Sequence, residues 1–222
     1  RSSDLDTDAS GASVVIGAMT VANGQPAAAE RLYRAALARA AGVRSSGAAV
    51  LGDLHVGLAD VLREADRLQA AAEQLDQAAE LGESASLPEN RFRWFVVRAG
   101  LQVAVGQFEA ALADLAEAER RYRPGFLPDI RPLHAARARV LIRSGRLDEA
   151  RAWARDHAVV DADPTDFARE DEVLTYARLV AAERRAGRSN DREIEHVLTL
   201  TEQIVTAAER ARRSGSRVEA LT

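Results

Sequence analysis

A chain of 222 residues, 47% hydrophobic and 29% charged, is long enough to bury a core as one unit or as an array of repeats. Its formal charge of −4 speaks against direct nucleic-acid binding, which needs a basic surface, and the lack of cysteine excludes disulfides and thiolate zinc sites. Lysine is also absent, so all 30 basic residues are arginine and a phosphate loop ending in Gly-Lys-Ser/Thr cannot be present.

Residues 1 to about 11 are polar and acidic, and disorder is expected there, with the folded array over 12–222. Ser13–Ala22 reads as the first helix, Asn23-Gly24 as a turn, and Pro26 opens the second helix, where its missing N–H costs nothing. The apolar run near Val14–Ala22 is far shorter than the roughly 20 residues of a membrane span. Asp4, Asp6 and Asp8 precede it, opposite in sign to the basic start of a signal peptide. No membrane or targeting segment is read, and a cytoplasmic location is expected.

Arg44–Gly47 reads as a linker. Val50–Arg63 carries Leu51, Leu54, Leu58, Val61 and Leu62 on one helical stripe, and Leu68–Leu81 forms its partner, with Gly82 as C-terminal cap. A third pair runs from about Glu89 to Val105 and from Phe108 to about Tyr122. The fourth begins after Pro124-Gly125, with Asp129 as N-cap and Pro132 in the first turn. Asp163-Pro164 is expected to cap a long helix to about Ala186, and Asn190 with Glu193 resembles a capping box opening a last helix to about Arg213. No period-two strand pattern occurs, so the fold class is all-α. The last helix carries Ile194, Val197, Leu198, Leu200, Ile204 and Val205 around more of its circumference than one contact requires, which predicts an exposed surplus and self-association through it. The chain starts at Arg1 without methionine and stops within an apparent helix start, RVEALT, as a piece of a longer protein would.

The clearest unit is SGRLDEARAWA at Ser144–Ala154: a glycine stops one helix and Asp148-Glu149 opens the next, acidic side chains suiting the positive end of the helix dipole. The same frame recurs at Gly24, Asp66, Gly106 and, degenerate, Gly187, at intervals of 42, 40, 39 and 42 residues. Second helices repeat a small, bulky, small pattern: Ala29, Tyr33, Ala36; Ala71, Leu75, Ala78; Ala111, Leu115, Ala118. Small residues admit close helix approach and large ones fill the remaining holes. The pattern predicts an α-solenoid of about five tetratricopeptide-like helix pairs in a right-handed superhelix.

Three stretches, VGLADVLREADRLQAAAEQLDQAAELGE, RPLHAARARVLIRSGRLDEARAWAR and DFAREDEVLTYARLVAAERRAG, resemble the sensor region of MalT-type activators, the large ATP-binding regulators of the LuxR superfamily. The match covers roughly 47–222, and AREDEVLTYARLVAA is its most specific part. The resemblance implies a domain that binds an inducer, as MalT binds maltotriose, and relays it to ATP-dependent self-association and transcription activation. It places ATP binding in an N-terminal module and DNA binding in a C-terminal helix-turn-helix, neither present here, so no cofactor is expected in this chain. A free-standing tetratricopeptide adaptor holding a partner peptide is the alternative.

No catalytic constellation is found, and the chain is read as a non-enzyme. The histidines lack metal-ligand spacing, and His55 and His134, at equivalent repeat positions, read as histidines lodged between helices. Projecting the frame onto a concave groove lined by first helices places there Asp53, Val56, Asp60 and Arg63, then Arg93, Val96 and Gly100, then Ala135, Arg139 and Arg143. Trp94, beside Arg91 and Arg93, suits stacking on a sugar or ring, whereas Trp153 reads as packing. Arg169 and Glu172 are candidates by resemblance alone. A small-molecule inducer or a partner protein is the expected occupant of that groove.

Overall fold

In the computed structural model the described residues are 2–41, 48–124, 131–211 and 213–221, and among them all regular secondary structure is helical, without a strand. Five helix pairs follow in order: α1 (Ser2–Ala22) with α2 (Pro26–Ala41), α3 (Ala48–Glu64) with α4 (Leu68–Leu81), α5 (Phe92–Ala104) with α6 (Phe108–Arg121), α7 (Leu133–Arg143) with α8 (Leu147–Asp156), and α9 (Glu170–Arg185) with α10 (Asp191–Arg210). A short α11 (Ser214–Leu221) follows. They fall into two compact units, Arg1–Pro124 and Gly125–Thr222.

All five turns lie where the repeat frame puts them. Gly24, Gly106, Gly145 and Gly187 have φ of 70–80°, and Asp66 takes the same left-handed conformation at 58°. At each, the next residue's N–H reaches back to a carbonyl five residues earlier: Gln25 to Thr20, Arg67 to Leu62, Gln107 to Gln102, Arg146 to Leu141 and Arg188 to Glu183, at 2.8–3.0 Å. These are five copies of one C-terminal helix cap, which satisfies orphan carbonyls and needs a residue tolerant of positive φ.

In the first unit α1 packs on α2, α3 on α4 and α5 on α6; α2 also lies on α3 and α4 on α5, and the first helices touch in succession, α1 on α3 and α3 on α5. Ala29, Tyr33 and Ala36 of α2 form one buried cluster with Leu54, Leu58, Val61 and Leu62 of α3. Ala111 and Ala150 are wholly buried, as close helix contacts require. On the outer side of α1, Val15, Ile16 and Met19 remain exposed.

The second unit repeats the scheme, α7 lying on α8 and α9, α8 on α9, and α10 on both α9 and α11.

Several boundaries depart from expectation. α1 begins at Ser2 rather than near Ser13, so the stretch expected to be disordered lies in its first turns. Asp163 does not cap α9. Its carboxylate accepts instead from the backbone N–H of Thr165 (2.8 Å) and its hydroxyl (2.7 Å), and Asp166 accepts from Ala168 N–H (2.9 Å). Two successive Asp turns thus hold the backbone out of a helix until Glu170. Asn190 does cap α10, its side chain accepting from Glu193 N–H at 2.9 Å. The linker at Arg44–Gly47 and the cap at Asp129 lie outside the described residues. The apolar surplus of α10 is smaller than expected: Ile204 and Leu200 are buried, the helix being flanked by α9 and α11, and Leu198 is the large exposed residue.

Candidate functional site

In the first unit the groove positions divide. Asp53 and Val56 are buried, because successive first helices touch directly and close that flank. Asp53 holds the α4–α5 connection, accepting from Leu87 N–H (3.1 Å), the Asn90 side-chain amide (2.9 Å) and the Ser86 hydroxyl. Val56 packs with Ala59, Leu75 and Val97. Trp94 is a packing residue too. Its indole N–H donates to the Leu75 carbonyl of α4 at 3.1 Å, Phe95 meets it edge-on, and the Arg98 guanidinium covers its ring at 4.3 Å.

Asp60, Arg63 and Arg93 do come together, around a residue read from sequence as packing alone. Tyr33 rises from α2 between α1 and α3, its ring wholly buried. A Cβ at Gly17 of α1 would come within 2.5 Å of the ring, and one at Gly57 of α3 would lie 2.6 Å from it. Both helices therefore carry glycine where Tyr33 passes, although glycine inside a helix costs about 1 kcal/mol relative to alanine. Burial raises the Tyr33 phenol above its ordinary pKa, the Arg93 guanidinium of α5 opposes that shift, and the Asp60 carboxylate reinforces it. Arg63 donates to Asp60 through Nη2 (2.7 Å) and Nε (3.2 Å), and its Cδ and Nε fill the space a Cβ would occupy at Gly100 of α5. Thus Arg63 reaches from α3 onto α5. Val96 is half-buried on α5.

In the second unit Ala135 is buried and Arg143 is exposed at the end of α7. Arg139, Arg169 and Glu172 are built into helix contacts. Arg139 donates to Asp171 (2.6 Å) and to the Thr175 hydroxyl (3.2 Å), tying α7 to α9. Arg169 donates to Glu172 and to the His157 carbonyl (2.9 Å). His134 accepts the Trp153 indole N–H on Nδ1 (2.9 Å), which fixes its proton on Nε2, 3.4 Å from Glu172, and its ring stacks on His157 at 4.0 Å. His55 bonds Gln74 across α3 and α4 at 2.9 Å, in the same register. Both histidines lie between helices, as expected. No group of three or more metal-ligating side chains occurs among the described residues.

A family model described as the MalT-like TPR region matches residues 1–222, the whole chain. The chain belongs to that family. No curated protein and no solved structure matches it.

Within this MalT-like TPR region the stretch AREDEVLTYARLVAA is a buried polar seam. Glu170, Asp171 and Glu172 are all buried in the first turn of α9. Each meets a cation: Glu170 meets Arg213, Asp171 meets Arg139, and Glu172 meets Arg169. Arg178 pairs with Glu219 of α11 at 2.9 Å, and the Thr175 hydroxyl donates to the Asp171 carbonyl at 2.7 Å. These groups hold helices together, since buried charges persist only when paired. The Tyr33 cluster is different. Leu75 and Leu115 stand at the equivalent positions of the next two pairs, so the hydroxyl serves no repeat packing. A tyrosine at a leucine position, with glycines in two neighbouring first helices, was the signal available in the sequence.

Proposed function

We propose that this MalT-like TPR region is the effector-sensing and protein-interaction domain of a MalT-type LuxR-family activator, in which inducer binding is coupled to self-association and transcription activation. ATP and DNA binding belong to modules outside this chain, and the domain works in the cytoplasm without catalytic chemistry. The inducer docks against the first helices α3 and α5 at Asp60, Arg63 and Arg93, over the buried Tyr33. Support comes from the family match over the whole chain and, above all, from the Tyr33 slot, a local departure from repeat packing that lowers helix propensity and converges polar groups. Such departures mark functional positions.

A thermal-shift screen of small metabolites and oligosaccharides against the chain and against a variant carrying Arg63→Gln and Arg93→Gln tests the proposal. A true inducer at about 100 times its Kd adds about 2.7 kcal/mol of stability to the parent, adds little to the variant, and changes the sedimentation behaviour of the parent. A ligand that stabilises both proteins equally refutes the placement, and one that leaves assembly untouched refutes the coupling.

A further inference from the structure

The residues exposed on the outer side of α1 follow the repeat. Ala12, Val15, Ile16 and Met19 stand three and four positions apart, so they form one stripe along the helix. Val15, Ile16 and Met19 are 44%, 52% and 52% exposed, while α1 meets α2 and α3 through its other sides. The turn spacing, 42 residues from Gly24 to Asp66 and 40 more to Gly106, carries this stripe onto equivalent positions of the next two first helices. They are Leu54, Gly57, Leu58 and Val61 of α3, and Trp94, Val97, Arg98 and Leu101 of α5. None of those residues is exposed.

Both equivalent stripes receive the second helix of the preceding pair. On α3, Gly57 lies against Tyr33 of α2, and Leu54, Leu58 and Val61 share a cluster with Ala29, Tyr33 and Ala36. On α5, Trp94 donates its indole N–H to the Leu75 carbonyl of α4 at 3.1 Å, and Val97 packs with Leu75 and Ala78. The stripe on α1 is the same seat, turned to solvent.

The shape of the seat says which helix fits it. The large residue of the incoming helix lands at the position of Gly57 and Val97. Where that position is glycine the incoming helix carries tyrosine, and where it is valine the incoming helix carries leucine. α1 has Val15 there, which leaves room for a leucine and not for a threaded ring. Alanines on either side of the leucine admit close approach, as Ala71 and Ala78 do around Leu75.

We propose that Ala12, Val15, Ile16 and Met19 form a docking face for an amphipathic helix from outside this chain, one that carries alanine, leucine and alanine at the spacing of Ala71, Leu75 and Ala78. Anchors at this spacing are how a helix face is read by a partner helix, and the docked helix continues the stack in the register already used by α2 on α3 and α4 on α5.

The probe is the α4 peptide, Leu68–Leu81, labelled with fluorescein and held helical by a staple replacing its exposed Glu73 and Gln77. Its anisotropy is titrated with the chain and with a variant carrying both Ile16→Glu and Met19→Glu. Both positions are exposed, so circular dichroism and melting of the variant should match the parent. Saturable binding that falls about tenfold or more in the variant supports the proposal. The α2 peptide, Pro26–Ala41, would bring Tyr33 against Val15; it should bind the parent less tightly than the α4 peptide does, and Val15→Gly should reverse that order. No binding of the α4 peptide, or binding that the double variant leaves unchanged, overturns the docking face. Equal binding of the two peptides, unmoved by Val15→Gly, overturns the choice of leucine. A dimer of the parent in sedimentation that the double variant abolishes assigns the face to a second copy and overturns the partner proposed.

Discussion

Replacing Gly57 by alanine reverses the usual sign of a helical glycine-to-alanine change. At an open helix position the substitution stabilises by about 1 kcal/mol, because alanine loses less backbone entropy on folding. At Gly57 the new Cβ would stand 2.6 Å from Tyr33 Cζ, 2.8 Å from Cε1 and 2.9 Å from the hydroxyl oxygen, all shorter than van der Waals contact. The ring has little room to retreat, because Gly17 of α1 also stands against it, so close that a Cβ there would come within 2.5 Å of the ring. Overpacking of this kind costs about 1–3 kcal/mol and outweighs the propensity gain. With Tyr33 changed to leucine, as at Leu75 and Leu115, the clashing ring atoms are gone and Gly57→Ala regains its ordinary stabilising sign. The double-mutant cycle should therefore show a coupling equal to the overpacking cost, about 1–3 kcal/mol. Urea unfolding followed by far-ultraviolet circular dichroism measures all four proteins. If Gly57→Ala stabilises the parent, or acts equally in both backgrounds, the slot as described is wrong.

Asp66→Gly is expected to stabilise by up to about 1 kcal/mol, since Asp66 alone among the five equivalent turns holds a side chain at positive φ; chemical denaturation checks the sign. Ala150→Leu, at a wholly buried helix contact, should cost about 1–3 kcal/mol in the same assay, and a variant melting with the parent would contradict that contact. Glu30 is held below the ordinary glutamate pKa of 4.5, chiefly by its hydrogen bond from Arg67, with Arg34 also helping against a partly opposing desolvation. A lowered folded-state pKa contributes stability above the unfolded value and loses it as pH falls through the folded one, so Glu30→Gln should flatten part of the acid limb of stability below about pH 4.5 and leave its slope near neutrality unchanged.

The periodic part of this protein was legible in one dimension. Turn glycines, the small residues Ala71, Ala111 and Ala150, and the Asn190 cap act through local backbone geometry and helix spacing, so a recurring interval near 40 residues was enough to place five helix pairs. Element starts were less legible: Asp163 could serve a helix or a turn, and the competition was decided by where Thr165 and Asp166 placed their own hydrogen bonds. The candidate site was half legible. Asp60, Arg63 and Arg93 lay on the projected face, but Trp94 and Asp53 on the same projection turned into the α4 contact and the α4–α5 connection, because helix phase alone does not say which flank a neighbour covers. Arg139, Arg169 and Glu172 were visible as charges, but only packing could show each of them tied into contacts around α9. Tyr33 was visible as a bulky repeat residue and nothing more. That its ring threads between two neighbouring first helices depends on Gly17 and Gly57 both being brought against it, a coincidence of three helices that no local pattern encodes.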